Sequence, residues 1–134
     1  YHMRKRILVI YDGHIILELL AAILSEDGYE VDAAGNGEGG LKMAYGREYD
    51  IIISDIDMPV MNGIEFCRRL IEKTPSIKQR ILLITGNKNR EADTLLKETG
   101  VRYLLKPFKT IDLLKAVNEI AAFAGSGCQL SVDS

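Results

Sequence analysis

Short apolar runs with no polar interruption alternate along this chain with stretches whose apolar residues return every three or four positions. The first kind reads as buried strand, the second as amphipathic helix. Ile7-Leu8-Val9-Ile10 predicts a strand over 7–10. Ile15-Ile16, Leu19-Leu20 and Ile23-Leu24 follow at helical spacing and stop at Gly28, which is expected to be the C-cap. A short strand over 29–33 comes next, and Gly35-Asn36-Gly37 breaks the chain before a helix over 38–45. Ile51-Ile52-Ile53 lacks polar alternation, so this strand is expected to be covered on both faces. Phe66, Cys67, Leu70 and Ile71 place a helix over 64–73, ended before Pro75. A buried strand over 81–84, a helix over 91–99 leaving at Gly100, and a strand over 103–105 continue the series. The last helix spans 111–123, with Thr110 as N-cap and Leu113, Leu114, Val117, Ile120 and Ala121 as its apolar face.

Strand and helix thus alternate five times. Strands joined by helical crossovers run parallel, and right-handed crossovers put helices on both faces. The expected fold class is α/β, an open five-stranded parallel sheet between two layers of helices.

Composition narrows the function. A chain of 134 residues suits one domain, and 47% hydrophobic with 27% charged residues is an ordinary globular balance. The net charge of −2 argues against direct nucleic-acid binding, and Arg4-Lys5-Arg6 reads as the solvated entry to the first strand. No membrane segment is expected: Tyr11-Asp12 stops the first apolar run, and the run from Ile15 to Leu24 carries Glu18. Cys67 and Cys128 have no metal-site spacing, so a disulfide framework is not expected and a cytoplasmic location fits. Residues 1–3 read as a cloning remnant and start, 4–124 as the domain, and the polar, Gly/Ser-rich 125–134 as a flexible tail or linker.

In an open parallel sheet, ligands bind beyond the carboxyl ends of the strands, where the strand order reverses. Those ends carry Tyr11-Asp12, Ser54-Asp55 with Asp57 close behind, Thr85-Gly86 and Lys106-Pro107. Taken singly, each has an ordinary role: aspartate as turn former, threonine as good strand residue, lysine as solvated cation. Taken together they suit phosphoryl capture. A carboxylate such as Asp55 attacks phosphorus, a metal and a cation balance the charge, and a hydroxyl meets an oxygen. Carboxylate oxygens with waters left over suit Mg²⁺.

Four segments carry a resemblance: "ILVIYD", "DIDMPVMNG", "LLITG" and "YLLKPF". In this order and spacing they resemble the receiver domain of two-component response regulators, over residues 6–124. The resemblance implies a flavodoxin-like (βα)5 fold with Asp55 as phosphoacceptor, charged by a sensor histidine kinase or phosphotransfer domain. It makes Asp12, Asp55 and the backbone carbonyl of Asp57 the Mg²⁺ ligands. It gives the phosphoryl oxygens to Thr85 and Lys106, with the Lys106-Pro107 bond cis. Thr85 and Tyr103 become the switch pair, and Asp57 and Asn87 tune the lifetime of the phosphoryl group. Such a domain is not an enzyme in the usual sense; it promotes only its own phosphorylation and dephosphorylation. A downstream protein would read the surface built from residues 91–124, and a homodimer through the last helix and its neighbours is among the implications.

The chain also departs from the pattern. Tyr11 stands where these domains have an acid, which should weaken Mg²⁺ binding; Asp57 adds a carboxylate nearby. His14 reads as a helix-start residue. The stretch from Gly100 to Tyr103 is one residue short, as in receivers attached to hybrid sensor kinases. The alternative reading is a degenerate receiver that only docks proteins. The Asp-x-Asp of haloacid-dehalogenase-like phosphatases fits poorly, because here it follows the third strand and Pro59 occupies the fourth position after the nucleophile.

Overall fold

The computed structural model describes residues 4–87 and 89–125. Five strands, β1 (Arg6–Ile10), β2 (Glu30–Ala34), β3 (Ile51–Asp55), β4 (Ile81–Thr85) and β5 (Arg102–Leu105), form one sheet. Between and after them lie α1 (His14–Glu26), α2 (Gly37–Gly46), α3 (Gly63–Lys73), α4 (Arg90–Thr99) and α5 (Thr110–Gly125). A 3-10 turn over Pro75–Arg80, which no apolar periodicity marks, leads into β4. The strand order is β2-β1-β3-β4-β5 and every pairing is parallel, so the order reverses between β1 and β3.

Strand alternation splits the core into two layers. Leu8, Ile10, Ile52, Ile81 and Leu83 pack with Leu41, Phe66, Leu70 and Leu95 from α2, α3 and α4. Ile7, Val9, Ile51, Ile53, Leu82 and Ile84 pack with Leu20 and Leu24 of α1 and Leu113, Val117 and Ile120 of α5. β3 and β4 are buried along their whole length, as expected for central strands with helices on both sides. The edge strands β2 and β5 are short and largely exposed, which limits pairing with other chains.

The helix ends are where local expectation and structure differ. The C-cap of α1 is Asp27 rather than Gly28, which follows it at φ +101°. The Gly28 N–H donates to the Ser25 carbonyl and the Tyr29 N–H to the Leu24 carbonyl, a Schellman motif that requires a left-handed residue after the cap. Gly100 closes α4 at φ +73° in the same spirit. Thr110 is not an N-cap. It is the first residue of α5, and the Lys109 carbonyl before it accepts from the Asp112 and Leu113 N–H groups. First-turn residues face no core, so apolar spacing places a helix start only to within a residue or two. α5 includes Gly125; residues 1–3 and 126–134, with Cys128 and the rest of the expected tail, lie outside the described residues.

In α1, Ile15, Ile16 and Leu19 are exposed although they belong to the apolar pattern. The sheet covers only the stripe through Leu20 and Leu24, and the apolar arc of this helix is wider than that stripe.

Candidate functional site

The residues that gather at the carboxyl edge of the sheet follow from register. Ile10 pairs with Ser54 and Asp55 with Ile84, so Tyr11 and Asp55 continue the β1–β3 ladder side by side. Alternation then directs Tyr11, Asp55 and Lys106 toward the α1/α5 face. The Lys106 N–H donates to the Thr85 carbonyl at 2.8 Å, which ties the end of β5 to the end of β4. The Lys106-Pro107 peptide bond is cis.

Asp55 is 3% exposed. Lys106 Nζ lies 2.9 Å from its Oδ1, a charge-assisted contact, and among the described residues no other donor reaches this buried oxygen. Burial pushes the Asp55 carboxyl above its usual range; Lys106 pulls it down and Asp57 adds to the rise. Burial also works against the charge on Lys106, but Asp55 and Tyr11 outweigh it and raise its pKa. Lys106 Nζ also sits over the Tyr11 ring, 5.1 Å from its centroid.

Thr85 is fully buried at the end of β4. Its hydroxyl donates to the Asn87 carbonyl at 3.0 Å and accepts from the Asn87 N–H at 3.2 Å, so Thr85 and Asn87 form one closed turn. Tyr103 pairs with Leu83, one rung below the Thr85–Leu105 pair, so Tyr103 and Thr85 share a sheet face. Tyr103 is exposed there, as is Leu105. Asp12 and Asp57 are exposed on the loops after β1 and β3. His14 pairs with Glu18 at 3.0 Å on the surface of α1, in keeping with a helix-start role.

The loop after β3 is tightly drawn. Met61 N–H donates to the Pro59 carbonyl at 2.7 Å across Val60, which has φ +68° and is fully exposed. A β-branched residue in that region is strained. Asn62 then caps α3 by accepting from the Glu65 N–H at 2.9 Å. Gly63 lets the helix start press onto the strand end: a Cβ there would lie 2.8 Å from the Ile56 Cα and closer still to the Asp55 carbonyl oxygen. The Met-Pro and Asn-Gly after Asp55 therefore seat α3 against the acid.

The sequence groups Asp55, Thr85 and Lys106 at one sheet edge; the structure pairs Asp55 with Lys106, ties the Lys106 backbone to Thr85, and joins Thr85 to Asn87. Sequence reasoning read Tyr11 only as a missing acid and did not see its contact with Lys106. It also passed over Asn62, although an Asn three residues before Glu65 at a helix start is a legible capping signal.

The donor set suits Mg²⁺. Among the described residues no three His, Cys, Asp or Glu side chains gather into a metal-holding group. One buried carboxylate, one exposed carboxylate and loop carbonyls match an ion that keeps several waters.

A parallel sheet with a buried carboxylate and a paired lysine at its switch point defines an α/β module built around an acidic ligand site. The family model described as "Response regulator receiver domain" matches residues 7–118, and the chain belongs to that family, the receiver domains of two-component response regulators. It is 37% identical over 128 residues to the alkaline phosphatase synthesis transcriptional regulatory protein PhoP of Bacillus subtilis, covering 90% of this chain and 52% of the relative. Protein PilH of Pseudomonas aeruginosa is 33% identical over 119 residues, covering 87% of this chain and 98% of PilH. The chain thus spans about half of one relative and nearly all of the other. Response regulator TrrA of Thermotoga maritima, solved in complex with Mg²⁺-BeF, superposes with a TM-score of 0.76 at 36% identity, covering 87% of this chain and 98% of that one. Receiver domains of this family act with histidine kinases or phosphotransfer partners and generally depend on Mg²⁺.

Proposed function

We propose that this chain is a working phosphoacceptor and that Asp55 carries the group. The observation behind this reading is the buried Asp55 carboxylate, charge-paired with Lys106 at 2.9 Å at the carboxyl edge of the sheet. An Asp55 oxygen attacks the phosphorus of a phosphohistidine on a sensor kinase or phosphotransfer domain. The P–N bond breaks, its electron pair returns to the imidazole, and an aspartyl phosphate forms. Lys106 neutralises one phosphoryl oxygen from its place beside Asp55. The Thr85 hydroxyl would have to exchange Asn87 for another phosphoryl oxygen, which opens the turn.

Mg²⁺, held by Asp12, Asp55 and the Asp57 carbonyl, supplies further neutralisation of the phosphoryl charge when bound. The resemblance to other receivers makes Asp57 and Asn87, which follow Asp55 and Thr85 by two residues, the positions that tune the phosphoryl lifetime. The chain is not an enzyme with a separate substrate; the chemistry ends on its own aspartate.

Thr85 and Tyr103 share the sheet face toward α4, so opening the Thr85 turn gives Tyr103 a route inward. The exposed Tyr103, Leu105 and Ile111 would then present an altered surface to a downstream protein or a second copy. A cytoplasmic location agrees with the free buried thiol of Cys67, and among the described residues no helix is long and apolar enough to cross a membrane.

Tyr11 favours the rival reading, a receiver that docks without phosphorylation, because it removes one acid from the metal side. Intact-protein mass spectrometry after incubation with acetyl phosphate separates the two. A Mg²⁺-dependent phosphoryl adduct, absent after chelation and absent from Asp55→Asn, is the expected result. No adduct with or without Mg²⁺ would overturn the phosphoacceptor reading.

A further inference from the structure

We propose that Tyr11 is a positioning residue for Lys106, holding the ammonium over Asp55 with the face of its ring. The functional half of this inference rests on the phosphoacceptor reading above.

Lys106 ends a flexible four-carbon stem, and its side chain is 30% exposed, so water competes for the ammonium. Two contacts hold it: Asp55 Oδ1 is at 2.9 Å and the Tyr11 ring centroid at 5.1 Å. A ring within about 6 Å of an ammonium attracts it through its quadrupole, more so where water is thin. The ring is itself held. Tyr11 packs on the core layer under α1 and α5, and its N–H donates to the Ala34 carbonyl at 3.2 Å.

A carboxylate at residue 11 would share the lysine with Asp55; a tyrosine holds the same cation without competing for its charge. Tyr11 therefore does more than delete an acid: it exchanges a metal-side charge for an anchor on the phosphoryl-side cation.

The test compares wild type, Tyr11→Phe and Tyr11→Leu, each with Lys106 intact and with Lys106→Met. The first readout is NMR of the Lys106 Hε and Cε resonances without phosphate or metal. A ring face over the ammonium shifts the Hε protons upfield. That shift is expected in wild type and Tyr11→Phe and lost in Tyr11→Leu. The second readout is the rate of adduct formation from acetyl phosphate. Tyr11→Phe should stay within about two-fold of wild type, and Tyr11→Leu should fall by about three- to ten-fold, the size of a lost cation–π contact. In the Lys106→Met background, Tyr11→Leu should cost no more than about two-fold, because a residue acting through Lys106 has nothing left to position.

An unchanged Lys106 shift in Tyr11→Leu would overturn the inference, as would an equal rate loss with and without Lys106. If Lys106→Met forms adduct too slowly to measure, the NMR comparison decides. If wild type forms no adduct, the phosphoacceptor reading fails, while the NMR comparison still judges the Tyr11–Lys106 contact.

Discussion

Lys106 Nζ and Asp55 Oδ1 stand 2.9 Å apart at the end of a sheet whose β3 is buried throughout, and among the described residues no other donor reaches that oxygen. The site keeps one charge close and leaves part of the carboxylate's acceptor capacity open. Burial raises the Asp55 pKa in the fold, so the stability this group contributes is complete below its ordinary value and is lost as pH rises through the raised one. At neutral pH the ionised acid is a net burden. Asp55→Asn keeps the size and drops the charge, so it is expected to be more stable by about 1 kcal/mol, the usual sign at functional sites. Urea unfolding followed by circular dichroism at pH 7 checks this; a lower midpoint in Asp55→Asn would show that the ion pair outweighs desolvation.

Gly63 is the tightest approach in the fold. An added Cβ would meet the Asp55 carbonyl and lie 2.8 Å from the Ile56 Cα, backbone that cannot swing aside. Gly63→Ala should destabilise the domain by about 3 kcal/mol, at the upper end of overpacking costs. It should also slow phosphorylation, because α3 would push on the residue that carries Asp55. Gly46→Ala is the control. Nothing lies within 4 Å of its added Cβ, so the gain in helix propensity should stabilise the chain by up to about 1 kcal/mol. Thermal unfolding of the two variants should move in opposite directions.

Asn62 accepts from the Glu65 N–H at 2.9 Å and starts α3 beside the site. Asn62→Ala should cost about 1 kcal/mol. Asn62→Asp and Asn62→Ser keep a capping oxygen and should retain most of that stability. Equal losses in all three variants would mean that the side chain matters for something other than the cap.

Tyr49 sets an alkaline limit. Its hydroxyl donates to Asp32 Oδ2 at 2.7 Å, and Arg47 reaches the same oxygen at 2.8 Å. Burial, then the Asp32 partnership, pushes the Tyr49 pKa up to about 12 from 10.0. A folded pKa above the unfolded one contributes stability that is complete below pH 10 and lost as pH rises from 10 through about 12. Asp32 behaves in the opposite sense. The Tyr49 hydrogen bond lowers its pKa against burial, with Arg47 assisting, so its contribution fades as pH falls through the lowered value. Urea midpoints between pH 8 and pH 12 should fall more steeply in wild type than in Tyr49→Phe; parallel profiles would remove Tyr49 from the alkaline limb.

Much of this protein is local and therefore legible. Uninterrupted isoleucine runs have to be strands buried on both faces, and apolar residues at three- and four-residue spacing have to be helices with one face down. Their strict alternation leaves a parallel sheet as the consistent solution. Polar residues at the strand ends then fall on one edge, which is how Asp55, Thr85 and Lys106 could be grouped before any coordinates.

What the tertiary structure decided are the meetings between segments that no local pattern encodes. Strand order and register set Tyr11 beside Asp55 and bring Lys106, from the far end of the chain, over both. Close packing turned Gly63 from a loop residue into a contact with the Asp55 backbone. The sheet's limited width left Ile15, Ile16 and Leu19 uncovered. Periodicity says which face of an element is buried, because that depends on the element alone. What lies against that face depends on the order and stagger of the other strands, and those are settled only when the whole sheet closes.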